Sequence, residues 1–311
     1  MSAEIRAFRR DDGVQVTALV NAHVQAVLPG VAVPQNAVMG QLERDAGEFI
    51  VDPWVAERRM LVAEERGRIV AAALLHRYAD DQRVGESYRN TGSIHWLVCW
   101  RDAAYWPDAT AAGEALMQRC VEQLERWNVA AIHAGSELPA PAVYGVPDCW
   151  PHIAELYERA GFTHSGRVEV ILVAAVAEIP RPGGAPIDGL WARRAFGVNG
   201  TRFCATSNGQ SIGLIEVESD LTRGGARACF AGWADIGNLE VDDEFQRQGI
   251  ASWLLATAAD WLEVGRVDRL LAYAWPEEEA KLAFLDRCQF KELTRTRRGW
   301  THRREDAATS R

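Results

Sequence analysis

The sequence lacks paired cysteines, an excess of basic charge and any long apolar run. Six cysteines (Cys99, Cys120, Cys149, Cys204, Cys229, Cys288) are scattered with no CxxC pair, and several sit inside apolar runs. That spacing argues against a disulfide framework or a zinc site and for reduced thiols. The seven histidines show no metal-like spacing either, so no metal is expected. Residues 1–185 carry 17 basic and 24 acidic side chains and residues 186–311 carry 17 and 19, giving −7 and −2. Neither half has the basic footprint of a nucleic-acid binder, and an acidic surface tolerates a cationic small substrate. No apolar run approaches the ~18 residues that span a bilayer, and "MSAEIRAFRRDD" has no apolar signal core. These absences lead us to expect a cytoplasmic protein that engages neither membrane nor nucleic acid.

What is present is a pattern that occurs twice. At 311 residues the chain is long enough for about two domains. A strand (Ile5 to Arg9) and two helical segments (Val14 to Leu28, and about Val38 to Phe49) open it. "MLVAEERGRIVAAALL" then reads as a hairpin turning at Gly67, and "SIHWLVCW" as a strand. A long helix, the strand "NVAAIHA", the helix "PHIAELYERAGF" stopped by Gly161 and the strand "RVEVILVAAV" follow. "IPRPGGAPIDG" (179–189) is aperiodic and rich in Pro and Gly, hence a linker. Beyond it come a hairpin at Asn208-Gly209, the strand "DIGNLEV", the helix "IASWLLATAADWLEV", the strand "RLLAYAW" and the helix "PEEEAKLAFLDRCQF". Gly67 and Gly209, Leu61 and Phe203, and Leu97 and Leu239 are all 142 apart, as a duplication requires. The expected organisation is therefore a first domain at 1–178, a linker at 179–189, a second domain at 190–303 and a frayed tail at 304–311.

Between strand and helix in the second copy stands "QRQGIA", Gln246 to Ala251. A helix starting there leaves unpaired N–H groups at the positive end of its dipole, which together favour an anion. Gly249 lets the backbone approach a ligand, Ala251 keeps the next side chain small and Arg247 adds a cation suited to pyrophosphate. The matching stretch of the first copy reads "DATAAG", Asp108 to Gly113, where Asp108 opposes an anion and Ala111 replaces the glycine. An anion should prefer the second copy.

The Gln-x-x-Gly-x-Ala turn, the hairpin before it and "F-L-x-x-x-Q-F" after it resemble the GNAT N-acetyltransferase superfamily from about Phe203 to Phe290. "IAELYERAGF" in the first copy independently resembles the same family's last helix, with Ile153 at its usual alanine position. The chain is thus similar to tandem GNAT proteins, an architecture shared with mycothiol synthase. The resemblance implies an α/β (α+β) fold of two tandem GNAT domains, each a mostly antiparallel mixed sheet flanked by helices. It further implies acetyl-CoA as co-substrate, held by Asn238, Leu239, Glu240, Val241, Gln246, Arg247, Gln248, Gly249, Ile250, Ala251 and Ser252. The activity it implies is acetylation of a primary amine on a small molecule; the alternative is an acyl-CoA-binding protein without catalysis. Asp235, eleven residues before Gln246, and Glu240 are the candidate bases, set on opposite faces by their odd spacing. The bland alternatives are that Asp235 caps a strand and Glu240 is a solvated carboxylate. The family's thiolate-protonating tyrosine corresponds to Leu285 here and to Tyr157 in the first copy. Tyr273 or water supplies that proton, or no general acid is used. Residues 197–202 are too few to build the two helices that wall the acceptor site in this family. That wall is therefore expected from the first domain or another subunit, and a homodimer is compatible with this.

Overall fold

A computed structural model describes residues 3–43, 54–100, 109–140, 142–198, 200–219, 221 and 230–302. The tail and Asp108 lie outside the described residues. The chain divides into two compact units. One comprises residues 1–168, 224–229 and 296–311, and the other residues 169–223 and 230–295.

The first unit runs β1 (Glu4–Ala7), α1 (Gly13–Val27), α2 (Gln35–Glu43), β2 (Val55–Glu65), β3 (Arg68–Tyr78), β4 (Thr91–Cys99), α3 (Ala109–Arg126), β5 (Ala131–Ala134), β6 (Val146–Pro147) and α4 (Pro151–Arg159). Strands β1 to β4 pair antiparallel in sequence order and β5 lies parallel to β4. Strand β7 (Phe162–Ala175) begins in this unit and ends in the second. The second unit continues with β8 (Trp191–Gly197), β9 (Gly200–Ser207), β10 (Gln210–Glu218), β11 (Trp233–Val241), α5 (Ile250–Val264), β12 (Arg269–Ala274) and α6 (Glu279–Arg287). Strands β8 to β11 pair antiparallel in order and β12 lies parallel to β11. The last strand, β13 (Lys291–His302), begins in the second unit and ends in the first.

The two long strands thereby trade ends. Val170 to Ala175 of β7 pair antiparallel with β12, and Trp300 to His302 of β13 pair antiparallel with β5. Residues 176–190 are also fixed on the second unit: Val176, Ile179 and Leu190 are buried in its core, and Arg181 bonds Asp260 on α5 at 2.7 Å.

The duplication is visible in backbone detail. Both hairpins turn on two consecutive positive-φ residues, Arg66 (52°) with Gly67 (76°) and Asn208 (48°) with Gly209 (80°). That is the twist-matched geometry that sets strand register. The β2/β3 register skips Val70 and the β9/β10 register skips Ile212, again 142 apart. The β3/β4 register skips His95 and the β10/β11 register skips Gly237, at the same offset. Extra residues at matched places are inherited bulges, since a bulge redirects a strand and is kept once packing depends on it.

Helix α5 is apolar along one stripe, with Ile250, Leu254, Leu255, Ala258, Ala259 and Leu262 buried. The stripe packs on Ile215 and Val217 of β10 and Phe203 of β9. Leu285, Cys288 and Phe290 join the same cluster, so the α5 side of the sheet holds the core. Only two residues separate β8 from β9, where the first unit has α1 and α2 between its first two strands.

Replacing Gly209 by alanine puts a Cβ at φ 80°. We expect it to cost about 1 kcal/mol, read as a lower denaturant midpoint with an unchanged slope.

Candidate active site

The parallel pairing of β11 with β12 is short. It joins Trp233, Ala234 and Asp235 to Arg269, Leu270 and Leu271. Past those residues the strands separate, and among the described residues no backbone hydrogen bond joins Ile236–Val241 to Ala272–Trp275. The bulge at Gly237 stands where the separation starts, bending β11 while β10 stays paired along its other edge. The result is a cleft of about 930 Å³, lined by both strands, the turn before α5 and helix α6. The free edge of β11 offers backbone donors and acceptors along one wall, ready for an extended ligand.

At the far end the turn forms an anion cradle. Arg247 (φ 59°) and Gly249 (φ 86°) are both left-handed and flank Gln248, the alternation that turns successive N–H groups into one concavity. The first helical bond of α5 runs from Trp253 N–H to Gly249 O at 3.0 Å. The N–H groups of Ile250, Ala251 and Ser252 therefore have no acceptor within the helix and face the positive end of its dipole. Gly249 is also tightly walled: a Cβ there would stand 3.2 Å from Pro186 Cβ.

Of the residues expected at the cofactor, Asn238, Leu239, Val241, Gln246, Arg247, Gly249, Ile250, Ala251 and Ser252 line the cleft. Glu240 and Gln248 are exposed and outside its lining. The Gln248 amide donates to Glu244 O at 3.0 Å. Gln246 spends its amide on the turn, donating to Val241 O at 3.1 Å and Asp243 Oδ1 at 2.8 Å.

The expectation that Asp235 and Glu240 face opposite ways is overturned. Asp235 pairs with Glu218, Asn238 with Glu216 and Glu240 with Leu214, and those three β10 residues alternate regularly on one face. The extra residue at Gly237 reverses the parity of everything after it, so all three β11 side chains share that face. Ile236 and Leu239 pair with Val217 and Ile215 on the core side.

Tyr273 lies against the Asp235 carboxyl, which is not itself among the cleft's lining residues, and Glu218 stands directly opposite that carboxylate on β10. Loss of solvent is the main cause that raises the Asp235 pKa to about 6; repulsion from Glu218 adds to it and the Tyr273 bond opposes it. Tyr273 itself lines the cleft, as do Leu285 and Phe284 of α6. Glu169 lines it too, from β7, and every other lining residue lies between Ile236 and Arg287. Sequence reasoning missed Glu169 because it sits in the apolar strand "RVEVILVAAV", which reads as the end of the first copy.

In the first unit the corresponding strands stay bonded further. Past Ile94 and Ala134, the last β4/β5 pair, the chain stays zipped: Gly135 N–H donates to Ile94 O at 2.9 Å and Glu137 N–H to His95 O at 3.0 Å. Tyr157 is fully buried, and its hydroxyl donates to Gly135 O at 2.6 Å, so it pins that zipper. The register that opposes Asp235 to Glu218 opposes Ser93 to His76 here. Ala109 to Gly113, expected to form a turn, lie within α3, which begins at Ala109.

Residues 174–290 match the family model described as the acetyltransferase (GNAT) family. That stretch is similar to the GNAT acetyltransferase family, and the chain as a whole has the fold of a tandem GNAT structure. Among solved structures it is similar to a tandem GNAT protein of the clavulanic acid biosynthesis pathway, at TM-score 0.62 and 14% identity over 96% of this chain and 98% of that one. A GCN5-related N-acetyltransferase from Sphaerobacter thermophilus matches at 0.56 and 16%, over 97% and 95%. A GCN5-related glucosamine N-acetyltransferase region of a fungal multi-domain β-N-acetylglucosaminidase matches at 0.63 and 15%; 96% of this chain corresponds to 38% of that one. No curated protein sequence matches. No described helix is long and apolar enough to cross a membrane, and no described cluster of side chains could hold a metal ion.

Because the Asp235 pKa lies above its ordinary 3.8, its proton stabilises the fold below about pH 4, and that stabilisation is lost as pH rises through about 6. Asp235→Asn should therefore raise stability at pH 7.5 by about 1–3 kcal/mol, with the gain vanishing near pH 4. Denaturation of both proteins at the two pH values tests this.

Proposed function

We propose that the second unit transfers the acetyl group of acetyl-CoA to a primary amine of a small molecule. The observation that carries the reading is that one cleft combines a free strand edge, an anion cradle and Tyr273, which interacts with Asp235. On this reading the pyrophosphate lies on the N–H groups from Gly249 to Ser252 with Arg247 beside it, and the pantetheine arm runs along Asn238 to Val241. The thioester reaches the apex, where the strands part.

Asp235, with a pKa of about 6, is a base matched to neutral pH. It takes the proton of the incoming ammonium. The amine nitrogen then attacks the thioester carbonyl, a C–N bond forms and the C–S bond breaks. Tyr273 gives its hydroxyl proton to the leaving sulfur and recovers one from Asp235, and the second proton of the attacking nitrogen then leaves through the freed Asp235 carboxylate to solvent. Glu240, exposed on its strand, is the weaker base candidate. Leu285 at the family's usual tyrosine position is the observation that favours the second reading, an acyl-CoA-binding protein without turnover. The first unit, zipped where the second is open, acts in structure rather than in chemistry.

Release of free thiol from acetyl-CoA against a panel of amines separates the readings; binding without turnover across the panel would favour the second. We expect kcat/KM to fall as pH drops through about 6, and Glu218→Gln to move that limb lower by removing a like charge. Gly249→Val, whose side chain meets both the left-handed φ and Pro186, should weaken acetyl-CoA binding at least about tenfold by calorimetry. Undiminished binding in that variant would remove the turn from the site.

A further inference from the structure

Strand β8 is an outer strand: among the described residues it pairs with β9 and with no other strand. Its register runs unbroken from Gly197 opposite Gly200 at the turn back to Trp191 opposite Thr206. Bonded and non-bonded pairs alternate along an antiparallel ladder, and a two-residue hairpin closes on a bonded pair. Ala192, Arg194 and Phe196 therefore turn their N–H and C=O groups away from β9, and such a row is a template for a further strand. Natural edges are blunted by being short, by proline or by a cover. The outer strand of the first unit, β1, has four residues and no exposed large apolar side chain. Strand β8 has seven residues and no proline, and it leaves Phe196 100% exposed and Trp191 51% exposed. Exposed aromatics on an open edge mark a contact surface.

The charges on β8 select its occupant. Arg193 and Arg194 are exposed on opposite faces of the strand, and neither guanidinium has a hydrogen bond or ion pair among the described residues. Two copies of β8 meeting antiparallel about a two-fold axis would oppose like guanidiniums if the axis passed through Arg193 or Arg194. With the axis through Ala195, Arg194 stands opposite Phe196 of the partner subunit, twice over, and Arg193 stands opposite Gly197 of the partner subunit, which has no side chain to obstruct it. A guanidinium over an aromatic ring is attractive, so the strand is complementary to itself in this register alone of the three. Residues 186–311 carry a net charge of only −2, against −7 for residues 1–185, so a contact through the second unit adds little repulsion. We propose that β8 is a self-association surface, on which two copies of the chain pair β8 to β8 antiparallel about an axis through Ala195. No residue of β8 lines the cleft, and the contact stands apart from the acetyl-transfer reading.

Sedimentation of the full chain over a range of concentrations should show a monomer–dimer equilibrium. Phe196→Asp, at a wholly exposed position, should weaken it at least about tenfold, and Arg194→Gln about fivefold through the loss of both ring contacts. Ala195→Cys should form an intermolecular disulfide on mild oxidation, reversed by dithiothreitol, because its two copies meet at the axis. Ala192→Cys should not, since this register carries its two copies beyond the roughly 7 Å that a disulfide can span. The unaltered chain, run in parallel, gives the background from its own cysteines. A monomer at every concentration, a dimer that Phe196→Asp leaves unchanged, or no cross-link at Ala195 would each overturn the proposal.

Discussion

The second unit depends on two parallel strands that stop bonding to one another. After Asp235 and Leu271, β11 and β12 part, and the edge of β11 is left without a partner in the sheet. Unpaired backbone groups in a folded interior are costly, and native chains nearly always satisfy them. Here the strand gains its bonds on the β10 side, and the bulge at Gly237 bends it away from β12. The core packing of α5 against β9 and β10 holds that bent shape, so the open edge is supported from behind. Cleft, cradle and acidic face all take their positions from this opening.

The first unit shows how a chain closes the same opening. It carries the matching bulge at His95, yet the segment after β5 turns back and bonds to β4. Tyr157 then spends its hydroxyl on Gly135, so burial and a hydrogen bond occupy a group that its place in the motif would assign to chemistry. One motif residue thus survives for packing in one copy while the other copy has lost it to Leu285. The presence of a family residue in a sequence does not specify what its hydroxyl contacts.

Legibility followed the range of the interactions involved. The hairpins were readable because a two-residue turn with Gly is local chemistry, and α5 because its apolar stripe and the glycine before it are local too. The fold was recoverable from the shared 142-residue offset and the GNAT resemblance. The exchange of strand ends was not, since the apolar run of β7 reads identically whichever strand it bonds to. The faces of Asp235 and Glu240 were misread for a related reason: period-two counting assumes an unbroken strand, and nothing in "DIGNLEV" marks Gly237 as a bulge rather than a ladder residue. Glu169 was hidden by the strand exchange itself, because its place in the cleft lining exists only once β7 lies beside β12.

The acidic face also explains why the site would be poor at stability and suited to proton transfer. A carboxylate removed from water, opposed by Glu218 and held by one tyrosine, is kept near the point where it exchanges protons at neutral pH. Burial beside a like charge opposes ionisation, whereas the Tyr273 bond favours it, and the balance sits close to pH 6. In the first unit the same pair of positions carries Ser93 and His76, so no two carboxylates face each other there. The two copies therefore differ in where their backbone and carboxyl groups are left exposed to demand, and that demand is concentrated in the second.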